Sequence, residues 1–180
     1  MSGFITPRPI KADDDLAQFS CGTGTLDHWL KNRAKPNEIS RASRTFVTTP
    51  VDQPQRVVGY FALAAGSVEL RQASGRVRRN MPSPIPVVVL ARLAVDTSWQ
   101  RRGLGISLLQ DSIIRSVAAG RQIGLRAMLV HAVDETAAAF YDRLGFTAAP
   151  PGGLTYMATI DDLARTLAAS GDGTSQPSTS

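Results

Sequence analysis

The sequence has little of several residue types that would otherwise define its chemistry. It holds one cysteine in 180 residues, Cys21, so neither an internal disulfide nor a cysteine metal cluster can form within the chain. That usage suits a reducing compartment, and a cytoplasmic location is the expectation. The two histidines, His28 and His131, make no metal-ligand spacing, so no metal is expected. Aromatic residues are only 6%, which argues against an extensive base-stacking platform. The longest apolar run, residues 84–91, is far too short to span a bilayer. Residues 1–9 lack the apolar core of a signal peptide, and no membrane partner is expected. Lysine is scarce too, at Lys11, Lys31 and Lys35.

What is present is a globular composition with an arginine excess. Hydrophobic residues are 43% and charged residues 19%, enough for one domain with a proper core over residues 1–169. Residues 170–180 are Gly/Ser/Thr/Pro-rich without apolar periodicity and read as a disordered tail. The formal net charge is +5, and arginine supplies 17 of the 20 basic residues. A guanidinium fork can give two hydrogen bonds to one anion, so phosphate-bearing partners fit this excess. A solvated basic surface fits it as well.

Periodicity predicts an alternating chain. Residues 13–19 read as a short helix or turn, and the Asp13–Asp15 run as a solvated turn. Leu26, Trp29, Leu30 and Arg33 have helical spacing, which predicts a helix over 25–35. Strands are predicted at 45–49, 56–69, 86–95, 125–132 and 154–160, with Gly59 and Gly66 as bulge or turn points. Helices are predicted at 103–119, 135–144 and 161–169. Asp134 is the N-cap and Gly145 the C′ residue of the helix at 135–144. This order implies an α/β (α+β) fold, with a central mixed sheet flanked by helices.

The informative segment is Leu93-Ala94-Val95-Asp96-Thr97-Ser98-Trp99-Gln100-Arg101-Arg102-Gly103-Leu104-Gly105-Ile106. A buried strand ends, a polar link follows, and a glycine-containing turn opens a helix. Such a turn aims backbone N–H groups and the positive helix end at one small volume, where a pyrophosphate fits. A dinucleotide loop would want a third glycine, but Leu108 stands there. A nucleotide-triphosphate loop would want Gly-Lys-Ser/Thr. An ordinary strand–helix turn is the bland alternative.

Gln100-Arg101-Arg102-Gly103-Leu104-Gly105, after Leu-Ala-Val, resembles motif A of the GNAT N-acetyltransferases. Ala137-Ala138-Ala139-Phe140-Tyr141-Asp142-Arg143-Leu144-Gly145-Phe146 resembles their motif B, in the right order and at a fitting separation. Three further strings are similar to the TacT/AtaT-type aminoacyl-tRNA-acetylating toxins: Leu26-Asp27-His28-Trp29-Leu30-Lys31, Ala42-Ser43-Arg44-Thr45-Phe46-Val47, and Arg78-Arg79-Asn80-Met81-Pro82-Ser83-Pro84-Ile85-Pro86. The last is the most specific.

The resemblance implies a GNAT fold and acetyl transfer from acetyl-CoA to the α-amino group of the amino acid on charged tRNA, which blocks translation. It implies acetyl-CoA contacts at Leu93, Ala94, Val95, Gln100, Arg101, Arg102, Gly103, Leu104, Gly105, Ile106 and Phe140. The Val95 N–H would polarise the thioester carbonyl, and Tyr141 would protonate the leaving thiolate. No general base stands out. Glu69 or Asp96 could act through water, although an aminoacyl ester's amine is already largely neutral. Arg33, Arg44, Arg78, Arg79 and Arg92 are the tRNA candidates, with Lys31, Lys35, Arg41 and Arg76 beside them. The implied partners are charged tRNA, a ribbon–helix–helix antitoxin and a second copy of the chain, with DNA reached only through the antitoxin. A GNAT enzyme acting on a small amine or a protein N-terminus, and a non-catalytic binding module, are the alternatives.

Overall fold

A computed structural model describes residues 3–150 and 153–171. The elements are β1 (Arg8–Pro9), α1 (Gly24–Asn32), α2 (Ala34–Ser40), β2 (Arg44–Thr48), β3 (Gly59–Val68), α3 (Gly75–Arg78), β4 (Ile85–Val95), α4 (Leu104–Gly120), β5 (Ala127–His131), α5 (Glu135–Arg143), β6 (Thr147–Ala148), β7 (Thr155–Thr159) and α6 (Ile160–Gly171). The class is the expected one, α/β with a mixed sheet and flanking helices. Contacts divide the chain into two compact units, Met1–Gly66 with Val88–Ser112, and Ser67–Val87 with Ile113–Ser180.

In the first unit the strands run in the order β1-β2-β3-β4. β1 and β3 both pair antiparallel with β2, with Phe46 opposite Phe61 and Val47 opposite Tyr60. The alternating strand faces bury Val47, Tyr60 and Ala94 against Leu30 and Ala34 of the two short helices. Gly59 is not a bulge. A Cβ there would lie 2.9 Å from Thr48 Cγ2 and 3.0 Å from Leu108 Cδ1, so the missing side chain lets α4 settle on β3.

In the second unit the order is β5-β7-β6, all antiparallel. Met128, Val130, Phe146, Met157 and Leu163 form its buried interior. Asp134 caps α5 as expected, accepting from the Ala137 N–H at 2.8 Å, and Gly145 takes φ 90° just past the helix end.

Several boundaries differ from the sequence reading. The predicted helix at 25–35 is two helices, broken at Arg33 and resumed to Ser40. Pro36 lies in the first turn of α2, where its missing N–H would have had no intrahelical partner. Residues 13–19 form turns rather than a helix, and Asp14 is not solvated. It is 5% exposed, pairs with Arg8 at 2.7 Å and accepts from the Lys11 N–H. α6 continues through Ser170 and Gly171, and the remainder of the stretch read as a tail, residues 172–180, lies outside the described residues. Among the described residues, no helix is long and apolar enough to cross a membrane, and no three side chains gather that could hold a metal ion.

Candidate functional site

β4 ends at Val95, and the chain then turns sharply into α4. That turn is held in place at many points. The Asp96 N–H donates to Val58 O at 2.8 Å, and the Thr97 N–H to Ser20 O at 2.8 Å. The Asp96 carboxylate accepts from the backbone N–H groups of Ser20 and Ser98 and from the Ser98 hydroxyl. Burial opposes its charge, but the bonds from Ser98 and Ser20 outweigh that and hold its pKa below the usual carboxylate value. Asp96 is therefore an anchor, with its lone pairs in use. Glu69, the other base considered, closes a capping box with Gln72 and accepts from Ser83 at 2.8 Å.

The loop itself is shaped for an anion. Arg101 and Gly103 both take positive φ, 63° and 81°. The first helical bond of α4 runs from the Ser107 N–H to Gly103 O, so the amides of Leu104, Gly105 and Ile106 precede it. A Cβ on Gly105 would lie 3.9 Å from Val95 Cγ2, which brings the helix start against the strand end. Arg102 lies over the Trp99 ring at 4.9 Å, and Trp99 is buried. Gln100 gives its side-chain amide to Cys21 O at 2.9 Å and Val95 O at 3.0 Å, bracing the strand end rather than reaching outward. These residues fit the diphosphate of acetyl-CoA: unpaired amides, a helix N-terminus and two exposed arginines share one loop.

In the second unit α5 carries Phe140 and Tyr141. Tyr141 is 8% exposed, and Phe140 and Phe146 meet its ring edge-on at 5.7 and 5.8 Å. No described residue hydrogen-bonds its hydroxyl, and burial raises the phenol above its ordinary pKa. It stays a proton donor through neutral pH. His131, at the end of β5, bonds Thr155 Oγ1 through Nδ1 at 3.0 Å, a strand-end contact. Burial and a bond with Asp27 push the Cys21 thiol up to about 11, so it is no ready nucleophile.

The tRNA candidates differ in how free they are. Arg33 is exposed at the α1–α2 break. Arg44 is paired with Glu38 at 2.9 Å. Arg92 is half-buried over the Trp29 ring. Arg78 and Arg79 are exposed at the end of α3, a segment that sequence reasoning gave no support. Arg126 provides it, donating to Val77 O at 3.0 Å, Arg76 O at 3.1 Å and Arg79 O at 3.4 Å. Arg126 is the residue that sequence reasoning missed. Trp29 and Trp99 stood within the quoted strings, but nothing in the sequence said that each would lie under an arginine.

An anion cradle at a helix start, braced to a strand end, suits the class of proteins that hold a phosphate-bearing carrier. A family model described as the acetyltransferase (GNAT) domain matches residues 45–148, and the chain belongs to that family. It is 50% identical over 162 residues to a tRNA-acetylating toxin of Mycobacterium tuberculosis (strain ATCC 25618 / H37Rv), spanning 90% of this chain and 96% of the relative. A tyrosine-to-phenylalanine mutant of the toxin AtaT, bound to the C-terminus of the antitoxin AtaR and acetyl-CoA, superposes with TM-score 0.77 at 25% identity, over 90% of this chain and 97% of that one. AtaT complexed with acetyl-methionyl-tRNAfMet shares the fold, with TM-score 0.83 at 24% identity, over 92% and 99% of the two chains.

Proposed function

We propose that this chain transfers acetyl from acetyl-CoA to the α-amino group of the amino acid on charged tRNA and so stops translation. The observation that carries the reading is the half-identical mycobacterial toxin, aligned over nearly the whole of both chains. When bound, acetyl-CoA supplies an acyl group activated as a thioester. In this reading the loop amides and Arg101 and Arg102 hold its phosphates, while Leu93, Ala94 and Val95 line the pantetheine. The Val95 N–H faces the negative charge that develops on the thioester oxygen. Tyr141 gives its proton to the departing sulfur. The amine attacks directly. It needs little help from a base, because a free α-amino group titrates near 7.7–8.0 and an ester lowers that further.

Phosphates of the RNA fall to Arg33, Arg78, Arg79 and Arg92, with Arg44 already half-neutralised by Glu38. The partner in this reading is a ribbon–helix–helix antitoxin, through which the complex meets DNA. The toxin itself is a homodimer acting in the cytoplasm, where charged tRNA is found.

The test is transfer of labelled acetyl to a pool of charged tRNAs, against deacylated tRNA and a panel of free amines and peptides. Label on charged tRNA alone supports the reading and names the amino acid. Label on small amines or protein N-termini alone keeps the acetyltransferase and overturns the substrate. No label anywhere with acetyl-CoA bound favours a binding module.

A further inference from the structure

Most arginines of the described chain have their charge answered or stand in open solvent. Arg8 pairs with Asp14, Arg44 with Glu38, and Arg76 and Arg165 share Asp162. Arg92 belongs to neither group. It is half-buried, and no carboxylate of the described residues pairs with it. Its Nη1 donates to Ala91 O at 2.7 Å, and the guanidinium carbon lies 5.4 Å from the centre of the Trp29 ring. Trp29 in turn stacks on Tyr60 at 5.9 Å with planes 8° apart, and the Tyr60 hydroxyl is tied to Leu26 O at 2.8 Å. The guanidinium therefore rests on a ring that is itself stacked on a pinned tyrosine, with most of its five N–H donors unspent. A half-buried cation without a counter-charge costs free energy unless an anion completes it.

Its place on the strand says which anion. Arg92 precedes Val95 by three residues, roughly 10 Å along β4. In an aminoacyl nucleotide, eight covalent bonds separate the α-amine from the 5′-phosphorus of the same nucleotide, roughly 10 Å when extended. An amine at the Val95 end of β4 thus leaves its own phosphate within reach of Arg92.

We propose that Trp29, backed by Tyr60, is a positioning residue that holds Arg92 to receive a phosphate at the 3′ end of the charged tRNA. This rests on the tRNA reading above. The stack fixes the orientation of the fork before binding, so less side-chain freedom is lost when the phosphate arrives.

Acetyl transfer to charged tRNA, tRNA binding and acetyl-CoA binding are measured for the full chain and for Arg92→Ala, Arg92→Lys, Trp29→Leu and Trp29→Phe. Arg92→Ala should raise KM for charged tRNA about tenfold, with kcat changed far less. Over about 50 to 200 mM salt, the slope of log affinity for tRNA should fall by about one. Trp29→Leu should reproduce the KM rise, and in combination with Arg92→Ala should add little to it. Trp29→Phe keeps an aromatic face and should recover most of the loss, and Arg92→Lys should fall between wild type and Arg92→Ala. If Trp29→Leu does not fold, Trp29→Phe and Arg92→Lys still decide.

An unchanged KM and salt slope in Arg92→Ala, with wild type acetylating charged tRNA, overturns this proposal alone. A loss of acetyl-CoA affinity instead would assign Arg92 to the phosphates of the carrier and also overturns it. A wild type that neither binds nor acetylates charged tRNA removes the substrate reading and this proposal together.

Discussion

Tyr60 and Tyr141 sit in different units of the molecule, each buried and each flanked by two aromatic rings. Phe19 and Trp29 flank the first, Phe140 and Phe146 the second. Burial raises both phenols above their ordinary pKa, so both stay protonated at neutral pH. The difference lies at the oxygen. The Tyr60 proton is committed to Leu26 O, whereas no described residue accepts the Tyr141 proton. Two similar aromatic nests thus yield a structural pin in one unit and an available acid in the other. Composition and burial do not separate these roles; the hydrogen-bond inventory does.

The comparison can be broken most sharply at Tyr141. Tyr141→Phe keeps the ring and should lower kcat by about 10²- to 10⁴-fold with little change in melting temperature. Because the folded pKa is raised, the wild-type acid stays loaded as pH climbs. Alkaline loss of kcat should therefore begin at higher pH than an ordinary tyrosine would give. A smaller effect is expected where α4 meets β3. Gly59→Ala forces a methyl against Thr48 and Leu108 and should cost about 2 kcal/mol in denaturant unfolding. Tyr60→Phe should cost about 1 kcal/mol, since it removes the bond to Leu26 O, and its effect on kcat should be small beside that of Tyr141→Phe.

The smallest effect belongs to Asp162. Its bonds from Arg76, and then Arg165, overcome slight burial and depress its pKa to about 2. A depressed folded pKa adds stability that is complete above about pH 4 and is lost as pH falls through 2. Asp162→Asn should flatten that acid limb and lower stability above about pH 4 by the same small amount, well under what the shift alone implies, since Arg76 and Arg165 are exposed and solvent screens the pair.

Much of this was legible in the sequence where the signal is local. The turn from Val95 into α4 follows from its glycines and charges, and the start of α5 from Asp134. The aromatic pair Phe140-Tyr141 stands where motif B places it. The break at Arg33 carries no glycine, and Pro36 looks like a stop although it is harmless in a first turn. Asp14 looks solvated until the chain brings Arg8 over it, and Arg92 looks like a surface cation until Trp29 is placed beneath it. These roles depend on contacts between elements, which periodicity does not encode. The two-residue strands β1 and β6 are too short to show any period at all.

The most direct measurement pairs acetyl-CoA affinity with single-turnover acetyl transfer to charged tRNA, in wild type and Tyr141→Phe. The account predicts equal affinity and a transfer rate lower by about 100-fold or more in the variant. Equal rates in the two proteins would contradict it and return Tyr141 to the same structural standing as Tyr60.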